Sequence, residues 1–324
     1  MKKLLCIVLF LAMFTGMLPT YADAASAVNY PTRPITLIVP FTTGSGDSAA
    51  RMFARYLEKY LGQPIIPTNM PGGSGGVGLQ HAMQAAPDGY TICFMSSTIA
   101  YGMAHGNIRY NPRDLNPICS FNSEALGIFV PKDSPFNTIE DFINYAKQHP
   151  GELVVGGTAI ASAQHSFFIT LLNEAGIDIE DIHYVPYGGS DETVLAFIGG
   201  NHDAGVFAPN SIRQYMETEG VRCLLYGAIE HDDEFEGVPI GKDVGFPKID
   251  DLLQFRAFLT TPGVPEEIMQ ILEEASEKAF NDPEYQQYLI DMRFTPFYKN
   301  RKDYADFLAT FVENAEAVFA QMDR

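Results

Sequence analysis

The sequence predicts an α/β protein with two sheets, each mainly parallel and flanked by helices. Three observations carry that expectation. Apolar runs of strand length alternate with amphipathic helical stretches. Small-residue loops follow the apolar runs, and the composition changes near residue 130. The 324 residues suffice for one large domain or two ordinary ones, and a hydrophobic content of 46% can fill a sizeable core.

In the first half, ITLIVP (35–40) reads as a buried strand. Ala50, Phe53, Ala54, Leu57 and Leu61 fall at i, i+3, i+4, i+7 and i+11, which places a helix over 48–61. Asp47 is the expected N-cap and Gly62 the stop. PIIPTN (64–69) is extended, PGGSGGVG (71–78) is a loop, and a helix around 77–86 ends before the turn PDGY. YTICFM (90–95) is the next strand, closing in Ser96, Ser97 and Thr98.

In the second half, LGIFVP (126–131) is a strand. Thr138 caps IEDFINYAKQ, with Glu140 and Asp141 in the first turn where the helix dipole favours them. Strand-and-loop units follow at 151–158, 182–189 and 203–210, with helices over 162–175 and 191–198, and a strand at 221–226. Beyond an acidic segment (230–237), FRAFLTT (255–261) is a strand, and helical segments lie near 265–280, 283–292 and 301–321.

A net charge of −19 argues against nucleic acid and against an anionic membrane surface, since both need clustered Lys and Arg. A small anion stays possible, because local backbone N–H groups can outweigh distant charge within the screening length. Lys2 and Lys3, the apolar stretch 4–14 and the small residues of YADAAS (21–26) form a secretory signal, with cleavage after Ala24 and an extracytoplasmic destination. Cys93, Cys119 and Cys223 then remain. Three cysteines make no disulfide framework, though one bridge between two of them is left open.

In such sheets the loops at the carboxyl ends of strands form the ligand crevice. Here these are 41–47, 96–100, 157–162, 187–190 and 208–211, rich in Gly, Ser, Thr or Asn and free of charge clusters. Gly44, Gly46 and Ala49 match a dinucleotide fingerprint, as do Gly73, Gly75 and Gly78. The second strand ends in Asn69, where a ribose-binding acid is wanted, and neither loop has the lysine of a phosphate-binding loop. GGSGG (72–76) could make Ser74 an esterase nucleophile with His183, His202 or His231, but Pro71 and four glycines do not suit a strained elbow. Metal-ligand spacing is missing, so neither cofactor nor metal is expected. What survives is an anion site on helix N-termini. Its donors would be the N–H groups of 47–49 and 162–165 and the hydroxyls of Thr42, Thr43, Ser45 and Ser48, with no cation from either half.

The ordered set YPTRPITLIVPF (30–41), GDSAARMFARYLEKYLGQPI (46–65), NMPGGSGGVG (69–78), AAPDGYTI (85–92), YNPRDLNPI (110–118), FNTIEDFINYAKQHPGEL (136–153), HYVPYGGSDE (183–192) and FLTTPGVPEEI (258–268) resembles the solute-binding proteins of tripartite tricarboxylate transporters, the TctC-like or Bordetella-uptake-gene family. The resemblance spans nearly the whole mature chain. It implies a two-domain periplasmic-binding-protein-like (type II) fold: 28–128 with 255–324 as domain 1, 129–254 as domain 2, and a cleft between them. It further implies a monomer that binds a small carboxylate and serves membrane permease subunits, or alternatively a sensor kinase. A secreted serine hydrolase is the distant alternative.

Carried onto this chain, the resemblance places the ligand against Phe41, Thr42, Thr43, Ser45, Gly46, Asp47, Ser48, Ser97 and Thr98 from domain 1. From domain 2 it offers Thr158, Ala159, Ser162, His165, Tyr187, Gly188, Ala208 and Asn210. Ala208 stands where some relatives carry Asp, which favours a carboxylate without an amine. Hinges are expected near 120–130 and 250–257.

Overall fold

The computed structural model describes residues 28–228, 231, 235–292 and 294–319. The expected signal segment, 1–24, and most of the acidic segment's charged residues lie outside the described residues.

The first strand, β1 (Ile35–Val39), leads through a short loop into α1 (Ser45–Leu61). Helix α1 buries the stripe expected of it, Ala50, Phe53, Ala54, Leu57 and Leu61, and stops at Gly62 in the left-handed region (φ 70) that glycine adopts without penalty. Its N-cap is Gly44 rather than Asp47. Asp47 sits inside the first turn, where the helix dipole favours a carboxylate, and is held by Arg51 Nε at 2.9 Å and by Asn69 Nδ2 at 2.9 Å.

Next come β2 (Ile65–Asn69), α2 (Gly76–Met83), β3 (Thr91–Ser96), α3 (Ser97–Ala104) and the long β4 (Asn116–Glu124). The second half holds β5 (Leu126–Val130), α4 (Ile139–Gln148), β6 (Val154–Thr158), α5 (Ala163–Ala175), β7 (His183–Tyr187), α6 (Ser190–Ile198), β8 (Ala204–Phe207), α7 (Pro209–Thr218) and β9 (Arg222–Gly227). The chain then returns through β10 (Gln254–Thr260), α8 (Glu266–Phe280), α9 (Pro283–Asp291), β11 (Thr295–Lys299) and α10 (Arg301–Phe319).

Two sheets result, ordered β11-β4-β10-β3-β1-β2 and β7-β6-β8-β5-β9. The βα units pair in parallel, β1 with β2 and β3, and β6 with β7 and β8. Strands β4, β5, β9 and β10, which carry the chain between the sheets, enter antiparallel, so both sheets are mixed. Only Ala125 separates β4 in the first sheet from β5 in the second, and Gln254, where the chain comes back, pairs with Glu124. Both crossings therefore meet at one point. Separate apolar cores pack the two sheets, with Phe53 stacked on Phe121 at 4.4 Å in the first and Phe142, Phe167 and Phe168 buried in the second. Cys93, Cys119 and Cys223 form no disulfide among the described residues, and burial pushes the pKa of the first two well up.

Candidate functional site

The loops that follow β1, β3, β6 and β7 converge on one cleft of about 420 Å³ between the sheets. Each loop feeds directly into a helix: α1 at Ser45, α3 at Ser97, α5 at Ala163 and α6 at Ser190. A helix leaves its first N–H groups without intrahelical acceptors, so four positive helix ends gather around this space.

Of the residues expected to bind, Phe41, Thr42, Thr43, Ser45, Gly46, Asp47, Thr98, Thr158, Ala159, Ser162 and Gly188 line the cleft. The donor set differs from the expected one. Ser48 N is already used on Gly44 O at 3.0 Å, because α1 begins three residues earlier than the stripe suggested. Ser45 N donates to Ser190 Oγ at 3.2 Å, which leaves Gly46 and Asp47 to offer theirs. On the other wall Ser162 caps α5 by accepting from His165 N at 3.1 Å, and Ala163 N points to Thr98 Oγ1 at 3.4 Å. Thr158 donates to Gln164 Oε1 at 2.7 Å and is fixed behind by Tyr184, whose hydroxyl donates to Thr158 O at 2.7 Å.

Several contacts join the two walls. Thr42 donates to Gly188 O at 3.0 Å, and Ser74 donates to Ile160 O at 2.9 Å. With the Ser45–Ser190 and Ala163–Thr98 contacts they hold a closed cleft. Glycine makes this approach possible. A Cβ on Gly189 would lie 2.4 Å from Thr42 Oγ1, and one on Gly44 would lie 2.5 Å from Ser190 Oγ. The described non-glycine residues with positive φ, Ser74 (φ 53) and Ala161 (φ 58), sit on the two loops that meet at Ile160. Such backbone strain concentrates at ligand clamps. Ser74 itself lies in a short 3₁₀ turn, its hydroxyl committed to Ile160, and not on a strand-to-helix elbow.

The remaining expected residues lie elsewhere. Ser48 and Asn210 face a second cavity of about 250 Å³ on the far side of the opening loop. Ser97 is buried in the first turn of α3. Ala208 is the buried N-cap of α7, and Tyr187 pairs its hydroxyl with His202 Nε2 at 3.0 Å. His165 turns back into its own loop, accepting from Ala161 N on Nδ1 at 3.3 Å beside the Tyr184 ring. Burial, with His105 nearby, lowers its pKa to about 4, so it stays neutral near pH 7.

The expectation of no cation also needs correcting. Arg256 of β10 lines the cleft floor while fully buried, paired with Glu124 and donating to Asn122 Oδ1 at 3.1 Å. It reaches the opening loop at Ser45 Oγ, 3.4 Å away. Gln164, Ser190, Gln254, Ser96 and Phe94 join the lining and were also missed. For Ser96 and Gln164 position was the signal: both adjoin strand-to-helix loops already singled out. Arg256 had none, since it reads as part of an apolar strand. No group of His, Cys, Asp and Glu suited to a metal occurs among the described residues. No helix among them is long and apolar enough to cross a membrane.

Comparison with known proteins places the chain in a family. The UPF0065 protein in the gbd 5' region of Cupriavidus necator is 32% identical over 302 residues, covering 92% of this chain and 90% of that one. Among solved structures, the periplasmic binding protein BugD superposes with a TM-score of 0.83 at 20% identity, over 91% of this chain and 99% of that one. MatC from Rhodopseudomonas palustris with bound malate gives 0.83 at 22% identity, over 89% and 99%. A second protein of that organism, with adipate, gives 0.82 at 23%, over 91% and 99%. These structures share the two-domain periplasmic-binding-protein fold. The model of the tripartite tricarboxylate transporter family receptor matches residues 49–323, and the chain belongs to that family of solute-binding proteins.

Proposed function

We propose that the protein captures a small organic carboxylate in the cleft and delivers it to the membrane subunits of a tripartite tricarboxylate-type transporter. The observation that carries this reading is the convergence of four helix N-termini on one closed space. Oriented N–H groups and helix dipoles favour an anion there without a dedicated positive side chain. Malate and adipate, the ligands of two proteins with this fold, are small carboxylates, which supports the reading. The protein works as an exported monomer, with 28–128 and 255–324 forming one unit, 129–254 the other, and closure occurring about the two crossings. Binding, not turnover, is its task.

Calorimetry and thermal unfolding with a panel of carboxylates test this. A carboxylate at about 100 times its Kd should add roughly 2.7 kcal/mol of stability. Stabilisation by NAD or ATP and by no carboxylate would end the proposal. Mass spectrometry of acid retained through mild purification would name the ligand.

A further inference from the structure

Two helix ends face the cleft from its second wall, and they differ. The first turn of α6 carries Asp191 and Glu192, whereas the first turn of α5 carries no acid and suits an anion better. Most early N–H groups of α5 are already spent. Ala163 N points to Thr98 Oγ1 at 3.4 Å, His165 N donates to Ser162 Oγ at 3.1 Å, and Ser166 N donates to Ser162 O at 2.9 Å. Gln164, between them, keeps a backbone N–H that has no acceptor among the described residues.

The side chain of Gln164 is in the same condition. It is 4% exposed and lines the cleft. One end of its amide is held by Thr158 Oγ1 at 2.7 Å. The other end has no hydrogen-bond partner among the described residues, yet it is not one of the polar atoms sealed from water. Buried amides are nearly always paired, so an end left open on a cavity wall points to a partner inside the cavity. This holds whichever way the amide is turned. The Thr158 hydroxyl can donate or accept, so it can hold either end, and a carboxylate, which only accepts, draws the N–H end inward. The amide is also braced: Tyr184 donates to Thr158 O at 2.7 Å, and Thr158 Oγ1 lies 2.9 Å from Ser162 Oγ. A donor fixed beforehand loses less freedom on binding than a mobile one.

We propose that Gln164 is a ligand-contacting residue of the second wall, its side-chain and backbone N–H groups taking the ligand carboxylate that the first wall meets with Gly46 and Asp47. This rests on the carboxylate reading above and adds to it a residue that the cleft's hydroxyls and helix ends did not single out.

The test is calorimetry on the wild type, Gln164→Leu and Gln164→Glu with acetate, succinate, hexanoate and benzoate, the acid that the wild type binds tightest serving as probe. Gln164→Leu should weaken it by about 10- to 100-fold, the worth of a hydrogen bond to a charged group. Gln164→Glu should be worse still, because it turns a second carboxylate toward the first. A merely bracing role gives the reverse order, since Glu still accepts from Thr158 Oγ1 and Leu cannot. Far-ultraviolet circular dichroism and unfolding without ligand confirm that both variants fold. Wild-type affinity in Gln164→Leu, or Gln164→Glu binding as well as Gln164→Leu or better, would overturn the proposal while leaving the carboxylate reading standing. Failure of all four acids to bind the wild type would overturn both.

Discussion

The rim and the floor of the cleft solve opposite problems. The rim is built mainly of neutral groups, helix ends, hydroxyls, and glycines that let the walls touch, and its one carboxylate, Asp47, is paired with Arg51. The floor holds a full buried charge pair, Arg256 with Glu124, at the point where both crossing strands meet. A neutral rim contact, open to water when broken, costs little to remake. A buried charge pair cannot be broken cheaply, because each ion would lose its compensation away from water. The difference teaches that, on the proposed closure, the surfaces that would part are joined by neutral bonds, while the proposed pivot holds a charged one. Asn210 Nδ2 of α7 donates to Glu124 Oε2 at 2.9 Å, and Arg256 reaches Ser45, so the pivot touches an element of the second half and the opening loop alike.

The largest effect should come from breaking the pivot. Arg256→Met leaves Glu124 buried and unpaired, and the expected loss is about 3–5 kcal/mol in urea unfolding. Adding Glu124→Leu removes the stranded charge and should restore most of that loss. If the double variant were no more stable than the single one, the pair would not be the anchor described here.

A second contrast lies in pH. His165, behind the rim, is neutral in the folded protein down to about pH 4 because burial and His105 oppose its charge. The unfolded chain takes up this proton near pH 6.5. Between those values the unfolded state binds more protons, so stability is complete above pH 6.5 and falls as the pH drops. The effect of this residue is at most about 3 kcal/mol. His165→Gln should flatten the stability profile between pH 6.5 and 4 relative to the wild type. Parallel profiles would remove His165 from the account.

Closure itself gives a smaller figure. Gly189→Ala sets a methyl against Thr42 Oγ1 and Thr43 O, 2.4 and 2.9 Å from the ideal position. The cleft should then rest further open, which small-angle scattering would detect. Affinity for the best carboxylate should fall by roughly 10- to 100-fold, or about 1.4–2.8 kcal/mol. Unchanged affinity would mean that the walls need not meet for binding.

Local signals account for most of what the sequence reveals. The α1 stripe, the Thr138 cap with its reciprocal Asp141 bond, and the Gly62 and Gly176 stops all depend on neighbours within a turn or two. Strand β4, NPICSFNSE, escaped because it is buried on both faces and shows no alternation, while its Asn, Ser and Pro read as loop. Helices α3 and α7 escaped for the opposite reason, since Ser97-Thr98 and Pro209-Asn210 look like the loops they terminate. Arg256 was illegible in a deeper sense. Its meaning lies in Glu124 and Asn122, more than a hundred residues away, and no local pattern encodes that pairing.

The smallest effect tests which side of the opening loop the ligand uses. Ser45 borders both cavities, but Ser48 borders only the second, with Asp191, Asn210 and Gln214. Its backbone N–H is spent on Gly44 O, so only its hydroxyl could serve a ligand there. That cavity holds about 250 Å³ and has Asp191 but no Lys or Arg in its lining, whereas Asp47 in the cleft is paired with Arg51, so the second cavity is the poorer neighbour for a carboxylate. Ser48→Ala should therefore change carboxylate affinity by no more than about twofold, inside the ±0.5 kcal/mol of an ordinary surface change. Ser162→Ala, on the true rim, removes both a cleft hydroxyl and the cap of α5, and should cost about 1 kcal/mol of stability as well as affinity. Calorimetry on the two variants side by side decides between the cavities. A tenfold loss in Ser48→Ala with Ser162→Ala unaffected would move the ligand across the loop, and the account of rim and floor would fall with it.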